Sequence, residues 1–241
     1  MPRSICEGAR FEGGFGIDAG TLARTRQPAR GPELKTATPA LILSFDDGPE
    51  PVAALTSILR TLDHSHIKTE FYVLGERVQR SPDAARAIVK QGHKIYNHSW
   101  DHPKNLRKQS MAQVRAQLEN TQKIIKEATG ETPTKFRPPY GLGVLPGTQD
   151  PEITAVARAL SLTIQGWDID TNDWNNRPEF GGKRGLLVPE KLKKIREQLG
   201  WGFNKTKPKL NMLMHVLDET AHDLPGFITK LREWGYSFTD P

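Results

Sequence analysis

The chain has 241 residues, which suits one large domain or a domain with a tail. Hydrophobic residues make up 36% of it, enough for a globular core, yet no apolar run approaches the roughly 18 residues that suggest a membrane span. The net charge is +6, but the basic residues are scattered, as at Lys104, Arg107 and Lys108 or at Lys191, Lys193 and Lys194. A solvated basic surface accounts for that distribution, with attraction to an acidic polymer as the functional alternative.

Cys6 is the only cysteine, so an intrachain disulfide is excluded. Met1 to Gly20 carries no apolar stretch of the signal-peptide kind. Either the protein stays inside the cell, or a leader is missing from this sequence. Residues 1–38 are rich in Gly, Arg and Pro and show no sustained apolar period, which predicts an irregular extension.

From residue 39 to 241, apolar strands alternate with amphipathic helices. Ala40–Phe45 reads as a buried strand. Val52–Asp63 has helical spacing, with Leu55, Ile58, Leu59 and Leu62 on one face. Thr69–Leu74 is a second strand. Ser81–Pro82 opens a helix that Gly92 closes, and His93–Asn97 is short and extended. Ser110–Thr129 is the longest helix, with Gly130 as its stop. Lys135–Arg137, Leu162–Asp168, Leu210–His215 and Tyr236–Thr239 bring the strands to about seven. Further helices are expected near Pro151–Leu160, Pro189–Leu199 and Leu224–Trp234. Asn175–Gly185 and Gly202–Lys209 read as long loops, of a length that is often functional. The alternation predicts an α/β fold of parallel strands with crossover helices. Periodicity does not distinguish a closed barrel from an open sheet.

Chemistry-bearing residues sit where strands end, which is where parallel α/β folds bind ligands. Ser44-Phe45-Asp46-Asp47-Gly48-Pro49 ends a strand with two carboxylates. Neighbouring strand side chains point to opposite sides, but a turn can bring both to one cavity, one to hold a metal and one as a base. An Asp-Asp-Gly triplet also suits an ordinary turn. In Asn97-His98-Ser99-Trp100-Asp101-His102-Pro103, two histidines four apart share a face if the segment makes a helical turn. Two imidazoles and one carboxylate leave room for solvent and substrate on a catalytic metal. Phe136-Arg137-Pro138-Pro139-Tyr140-Gly141 places an arginine before a stiff turn, where it can fix a carboxylate or simply face solvent. Trp167 to Trp174 interleaves acids with tryptophans, which suits either sugar binding or a capped core segment. Leu213-Met214-His215-Val216 ends a strand on a histidine that is either functional or a satisfied core residue.

In order and content, these five segments resemble the polysaccharide deacetylases with a NodB-homology domain, carbohydrate esterase family 4. The resemblance spans residues 39–241. Ser44–Pro49, His98–His102, Arg137–Gly141, Asp170–Trp174 and Leu213–His215 stand for its blocks. Members often carry Asp where this chain has Val216, and the segment between Trp174 and Asn211 is long.

The resemblance implies a distorted (β/α) barrel and a hydrolase that removes N-acetyl groups from sugar residues of a chitin- or peptidoglycan-type glycan. It implies one divalent metal ion, zinc by default with cobalt or another ion acceptable, on Asp47, His98 and His102. Asp46 would be the general base and Arg137 its partner. His215 would be the general acid, oriented by Asp173. The Tyr140 amide would hold the oxyanion, and Trp174 and Leu213 would line the acetyl pocket. Polymeric substrates of this family lie outside the cytoplasm, which implies secretion or periplasmic export. A related hydrolase of a non-sugar amide and a carbohydrate-binding protein on a non-catalytic barrel are the alternatives. No nucleic-acid motif is present, and oligomeric state is not legible.

Overall fold

The computed structural model of the protein describes residues 38–144, 147–201, 204 and 206–241. The expected extension up to residue 37, with Cys6, and part of the expected loop at 202–209 therefore lie outside the described residues. In chain order the strands are β1 (Ala40–Gly48), β2 (Glu70–Val73), β3 (Lys94–Asn97), β4 (Lys135–Phe136), β5 (Thr163–Ile164), β6 (Ile169–Asp170) and β7 (Lys209–His215). The helices are α1 (Val52–His64), α2 (Gly75–Arg80), α3 (Pro82–Lys90), α4 (Met111–Thr129), α5 (Pro151–Ala159), α6 (Pro189–Gly200) and α7 (Asp218–Glu233).

Among the described residues, all seven strands are parallel and form one sheet in the order β5-β4-β3-β2-β1-β7-β6. β5 and β6 occupy opposite edges, yet only residues 165–168 separate them. Five residue steps reach at most about 18 Å, whereas a flat seven-stranded sheet would put its edges about 29 Å apart. The sheet must therefore curl until its edges nearly meet. This is the distorted barrel.

The closing segment corrects one expectation. Leu162–Asp168 is not one strand with a single neighbour. Its start pairs with β4, where the Gln165 amide donates to the Phe136 carbonyl (2.9 Å), and its end reaches β7, where the Asp168 amide donates to Asn211 (2.8 Å). One extended segment thus bridges both edges, and hydrophobic pattern cannot reveal a change of partner. Tyr236–Thr239 is likewise reduced to a bridge between Leu41 and Phe238.

Two helices also differ from expectation. α2 was not anticipated, because its six residues are too short to show a period. α7 begins at Asp218, not Leu224, and carries Pro225 inside it. Proline removes one amide donor, which tertiary packing tolerates here: Ala221, Leu224, Phe227, Ile228 and Leu231 are all buried.

The outward faces of the strands (Leu41, Leu43, Phe45, Phe71, Val73, Met212, Met214) pack against the helices in the main core. α1 contributes Ala54, Leu55, Ile58, Leu59 and Leu62, the stripe that its spacing predicts. Each such leucine or isoleucine stabilises the fold by about 1.5–3 kcal/mol through burial. α4 is closed at both ends, by a Ser110–Gln113 capping box and by Gly130 in the left-handed conformation (φ 79°). The inward strand positions are polar, with Ser44, Asp46, Glu70 and Asn211 all buried. Val216, at the family's usual Asp position, is buried in the main core, and its amide donates to the Asp46 carbonyl (3.0 Å).

Candidate active site

The site lies at the carboxyl ends of β1, β3, β4 and β7 and the segment after β6. At the end of β1 the pairing with β2 slips between Phe45 and Gly48, and Asp47 takes a left-handed conformation (φ 65°). This irregularity turns Asp46 and Asp47 into the same cleft, as a regular strand could not. Gly48 allows the bend to pack: a Cβ there would meet Val73 Cγ1 at 3.3 Å and Val216 Cγ2 at 3.4 Å.

His98 and His102 also converge, but not on a helical turn. The segment is an open loop with Ser99 (φ 73°) and His102 (φ 54°) both left-handed. Side chains impose that shape. Asn97 Oδ1 accepts from the Ser99 amide (2.9 Å), Ser99 Oγ from the His102 amide (3.2 Å), and Gln117 Oε1 from the Trp100 amide (2.8 Å). The first amides of α2, at Gly75 and Glu76, donate to the carbonyls of Ser99 and Trp100. The unanticipated helix therefore anchors the histidine loop with its otherwise unpaired N–H groups.

His98 Nδ1 lies 2.6 Å from the Arg137 carbonyl. A carbonyl only accepts, so Nδ1 carries a proton and Nε2 is the ring atom left to face the cluster. That Nε2 is 3.4 Å from Asp47 Oδ1, and His102 Nε2 is 3.7 Å from the same oxygen. Asp47 Oδ1 is buried without a hydrogen-bond partner. Burial pushes the Asp47 carboxyl up, but its interactions with His98, then His215 and His102, outweigh this and hold it well below the usual carboxylate range. His102 is lowered by burial and by repulsion from His98, which favours its neutral ring. One donor atom from each residue lies within 4.8 Å of the other two. A buried anionic oxygen without a hydrogen-bond partner, with two imidazole nitrogens beside it, fits a divalent cation.

Asp46 accepts from Arg137 Nη1 at 2.6 Å, and its other oxygen is 3.7 Å from His98 Nε2. Arg137 is 0% exposed. Its guanidinium is stacked 3.9 Å from the Tyr72 ring centroid. Across the cleft, His215 is joined to Asp173 twice. Its amide donates to Oδ2 (2.8 Å), and its Nδ1 lies 2.8 Å from Oδ1. Thr220 Oγ1 and the Trp174 amide complete the shell of Asp173 (2.6 and 3.0 Å). Burial opposes charge on both partners. The charge and hydrogen bonds of Asp173 nevertheless raise His215 to about 9, and His215 with Thr220 draws Asp173 below its ordinary value. His215 is therefore a cation at neutral pH, with Nε2 left for the cleft.

The cleft has a volume of about 360 Å³ and is lined by Asp46, Asp47, His98, His102 and His215, with Arg137 and Asp173 standing behind Asp46 and His215. Leu213 forms part of its floor. Trp174 (44% exposed) and Tyr140 (61% exposed) form rims, with Trp174 edge-on to His215 at 6.5 Å and Tyr140 edge-on to His102 at 4.7 Å. Tyr140 is left-handed (φ 58°) in the turn after the two prolines. All ten sequence-derived site residues thus surround or back one cleft.

A sequence profile for polysaccharide deacetylase matches residues 33–164, more than half of the chain. The chain belongs to the polysaccharide deacetylase family.

Other comparisons agree with that membership. The chain is 32% identical to the peptidoglycan-N-acetylglucosamine deacetylase PgdA of Listeria monocytogenes over 207 residues, 86% of this chain and 39% of PgdA. It is 32% identical to the peptidoglycan-N-acetylmuramic acid deacetylase PdaC of Bacillus subtilis over 209 residues, 85% of this chain and 39% of that protein. The chain thus spans about two fifths of the length of these relatives. The solved PdaC structure superposes with a TM-score of 0.65 at 29% identity, covering 85% of this chain and 89% of that one. A carbohydrate esterase family 4 pseudoenzyme, BA3943 of Bacillus anthracis, superposes with a TM-score of 0.66 at 26% identity over 83% of this chain and 63% of its own. Because a polysaccharide deacetylase fold can carry a pseudoenzyme, activity must be argued from the site residues.

Some residues around the cleft were not singled out from the sequence. Asp170, the first residue of the Asp170–Trp174 block, and Trp167 also line it, without a role assigned to either from the sequence. Thr220 has no sequence signal, and Lys191, grouped with Lys193 and Lys194 on a solvated basic surface, is instead fully buried. The buried Lys191 ammonium donates to the carbonyls of Asp173, Lys183 and Gly185 and so ties the long loop after Trp174 to the site. Nothing in the local pattern distinguishes either from a surface helix residue.

Proposed function

We propose that this chain hydrolyses the acetamido group of N-acetylated amino sugars in a chitin- or peptidoglycan-type glycan, with a divalent metal ion on Asp47, His98 and His102. One observation carries the reading. The Asp46–Arg137 pair (2.6 Å) and the His215–Asp173 pair (2.8 Å) line or back a single cleft beside the Asp/His/His cluster.

A divalent cation, zinc by default, supplies Lewis acidity there, polarising a carbonyl and making water easier to deprotonate. Asp46 takes the proton of the attacking water, and Arg137 keeps its carboxylate aimed. The Tyr140 amide donates to the oxyanion as the carbonyl carbon becomes tetrahedral. His215 Nε2 gives its proton to the sugar nitrogen as the C–N bond breaks, so acetate and a free amine leave. Asp173 stabilises the imidazolium until then. Leu213 and Trp174 bound the space for the acetyl methyl group. The sequence of steps needs no covalent intermediate.

Wall polymers lie outside the cytoplasm, so the protein acts after export. Among the described residues no helix is long and apolar enough to cross a membrane. Acetate release from acetylated chito-oligosaccharides and peptidoglycan fragments, with and without chelator, tests the activity. Release that a chelator stops supports it; no release from any N-acetylated glycan in the presence of zinc overturns it. Fractionation of cells carrying the natural gene tests location, and a purely cytosolic pool refutes export.

A further inference from the structure

The inside of the barrel below the cleft is a chain of polar side chains, not the packed branched residues usual in such barrels. Arg137 Nη1 donates to Asp46 and to Ser44 Oγ (3.0 Å). Its Nη2 donates to Asn211 Oδ1 (2.9 Å) and to the Gly166 carbonyl (3.1 Å). Asn211 Oδ1 also accepts from Ser44 Oγ (2.8 Å), while its Nδ2 donates to Glu70 Oε2 (2.8 Å). Glu70 is 1% exposed and also accepts from Lys135 Nζ (2.5 Å) and the Tyr72 hydroxyl (3.1 Å).

Glu70 dictates which way the Asn211 amide faces. The Glu70 carboxylate accepts from Lys135 Nζ and the Tyr72 hydroxyl, and a guanidinium only donates, so the NH2 end points to Glu70 and the carbonyl end to Arg137. The reverse orientation would set an oxygen against the carboxylate and an NH2 against the guanidinium. Apolar residues would fill such an interior at least as stably as a buried charge network. What the network adds is orientation of a guanidinium whose Nε has no partner and whose position depends on its two Nη groups.

We infer that Asn211 and Glu70 are positioning residues, holding the Arg137 fork from below and through it the Asp46 carboxylate. The inference rests on the reading of Asp46 as the base. Among the described residues, Asp47, His98 and His102 make no hydrogen bond or ion pair to Asn211 or Glu70.

The test uses Asn211→Leu, Glu70→Gln and the double variant, assayed for acetate release with zinc present. Asn211→Leu should lower kcat by about 10- to 100-fold, as expected of a shifted reacting group, while KM and zinc binding hold. Glu70→Gln, which keeps size but permits the amide to turn over, should lower kcat by less. The double variant should be no slower than Asn211→Leu alone, because both act along one path. A second readout needs no activity. In 15N spectra the Arg137 Nη groups should rotate slowly in the natural protein and faster in each variant. If Asn211→Leu fails to fold, Glu70→Gln alone carries both measurements. Unchanged Nη rotation, a change in KM with kcat intact, or losses that multiply in the double variant would overturn the inference. If the natural protein releases no acetate while the Nη signals respond, the positioning stands and the deacetylase reading falls.

Discussion

Asp46 and Asp47 are consecutive residues of β1, yet both carboxylates open into one cleft, because Asp47 is left-handed at φ 65° where the pairing with β2 slips. Their surroundings differ: Asp46 is held by the Arg137 guanidinium, whereas Asp47 faces two imidazoles at 3.4 and 3.7 Å. Neighbours in sequence thus acquire separable tasks.

Asp46→Asn is expected to keep its metal while turnover falls by about 10²- to 10⁴-fold, the range for a lost general base. Asp47→Asn should instead lose metal affinity, with partial recovery of rate at excess zinc. Metal stoichiometry measured beside turnover decides. Metal lost from Asp46→Asn but retained with activity in Asp47→Asn would reverse the roles.

His215 should titrate near 9 in the folded protein because of Asp173. Its folded value is raised, so its contribution to stability is complete below the unfolded value near 6.5 and disappears as pH rises through about 9. Turnover should decline over the same upper range as the proton donor is lost. Asp173→Asn should bring the His215 titration, followed by NMR, down toward 6.5; no movement would refute the coupling.

Zinc added to metal-free protein should raise the melting temperature, since binding to the folded state alone stabilises it in proportion to RT ln(1 + [L]/Kd). His98→Ala and His102→Ala should each blunt that rise. Equal rises in all three proteins would place the ion elsewhere.

His93 offers a test in the core, away from catalysis. Burial and then the charge of Lys68 lower it to about 4, and its Nδ1 accepts from the Thr69 amide (3.2 Å). The unfolded chain binds this proton more readily, so stability should fall as pH drops from about 6.5 toward 4. Urea midpoints for the natural protein and His93→Gln should converge over that range. Parallel pH dependence would show that His93 is not held neutral.

Gly75 should tolerate no side chain. A Cβ there would lie 2.4 Å from the Trp100 ring and 2.6 Å from Thr121 Oγ1. Gly75→Ala should cost about 1–3 kcal/mol, the range for overpacking, and should weaken zinc binding by displacing the loop between His98 and His102. Unaltered stability measured by denaturant unfolding would contradict this packing.

Several features were legible without coordinates because they are local. The helical stripe from Leu55 to Leu62, the Ser110 start and Gly130 stop of α4, and the position of Asp46, His98, Arg137 and His215 each at the end of its own apolar strand depend on residues near one another in the chain. The chemistry of the five segments was legible because donor types and their spacing restrict what a site can do. Tertiary structure decided the rest. Local pattern could not show that residues 163–170 change partners from β4 to β7, that the histidine loop is open and anchored by α2, or that Glu70 faces Asn211 across 141 positions. An acid in Glu-Phe-Tyr-Val and an amide in Leu-Asn-Met-Leu were visible irregularities in apolar strands. Their meaning required partners, because a buried polar group is defined by the donor or acceptor that satisfies it, and here each lies on another strand.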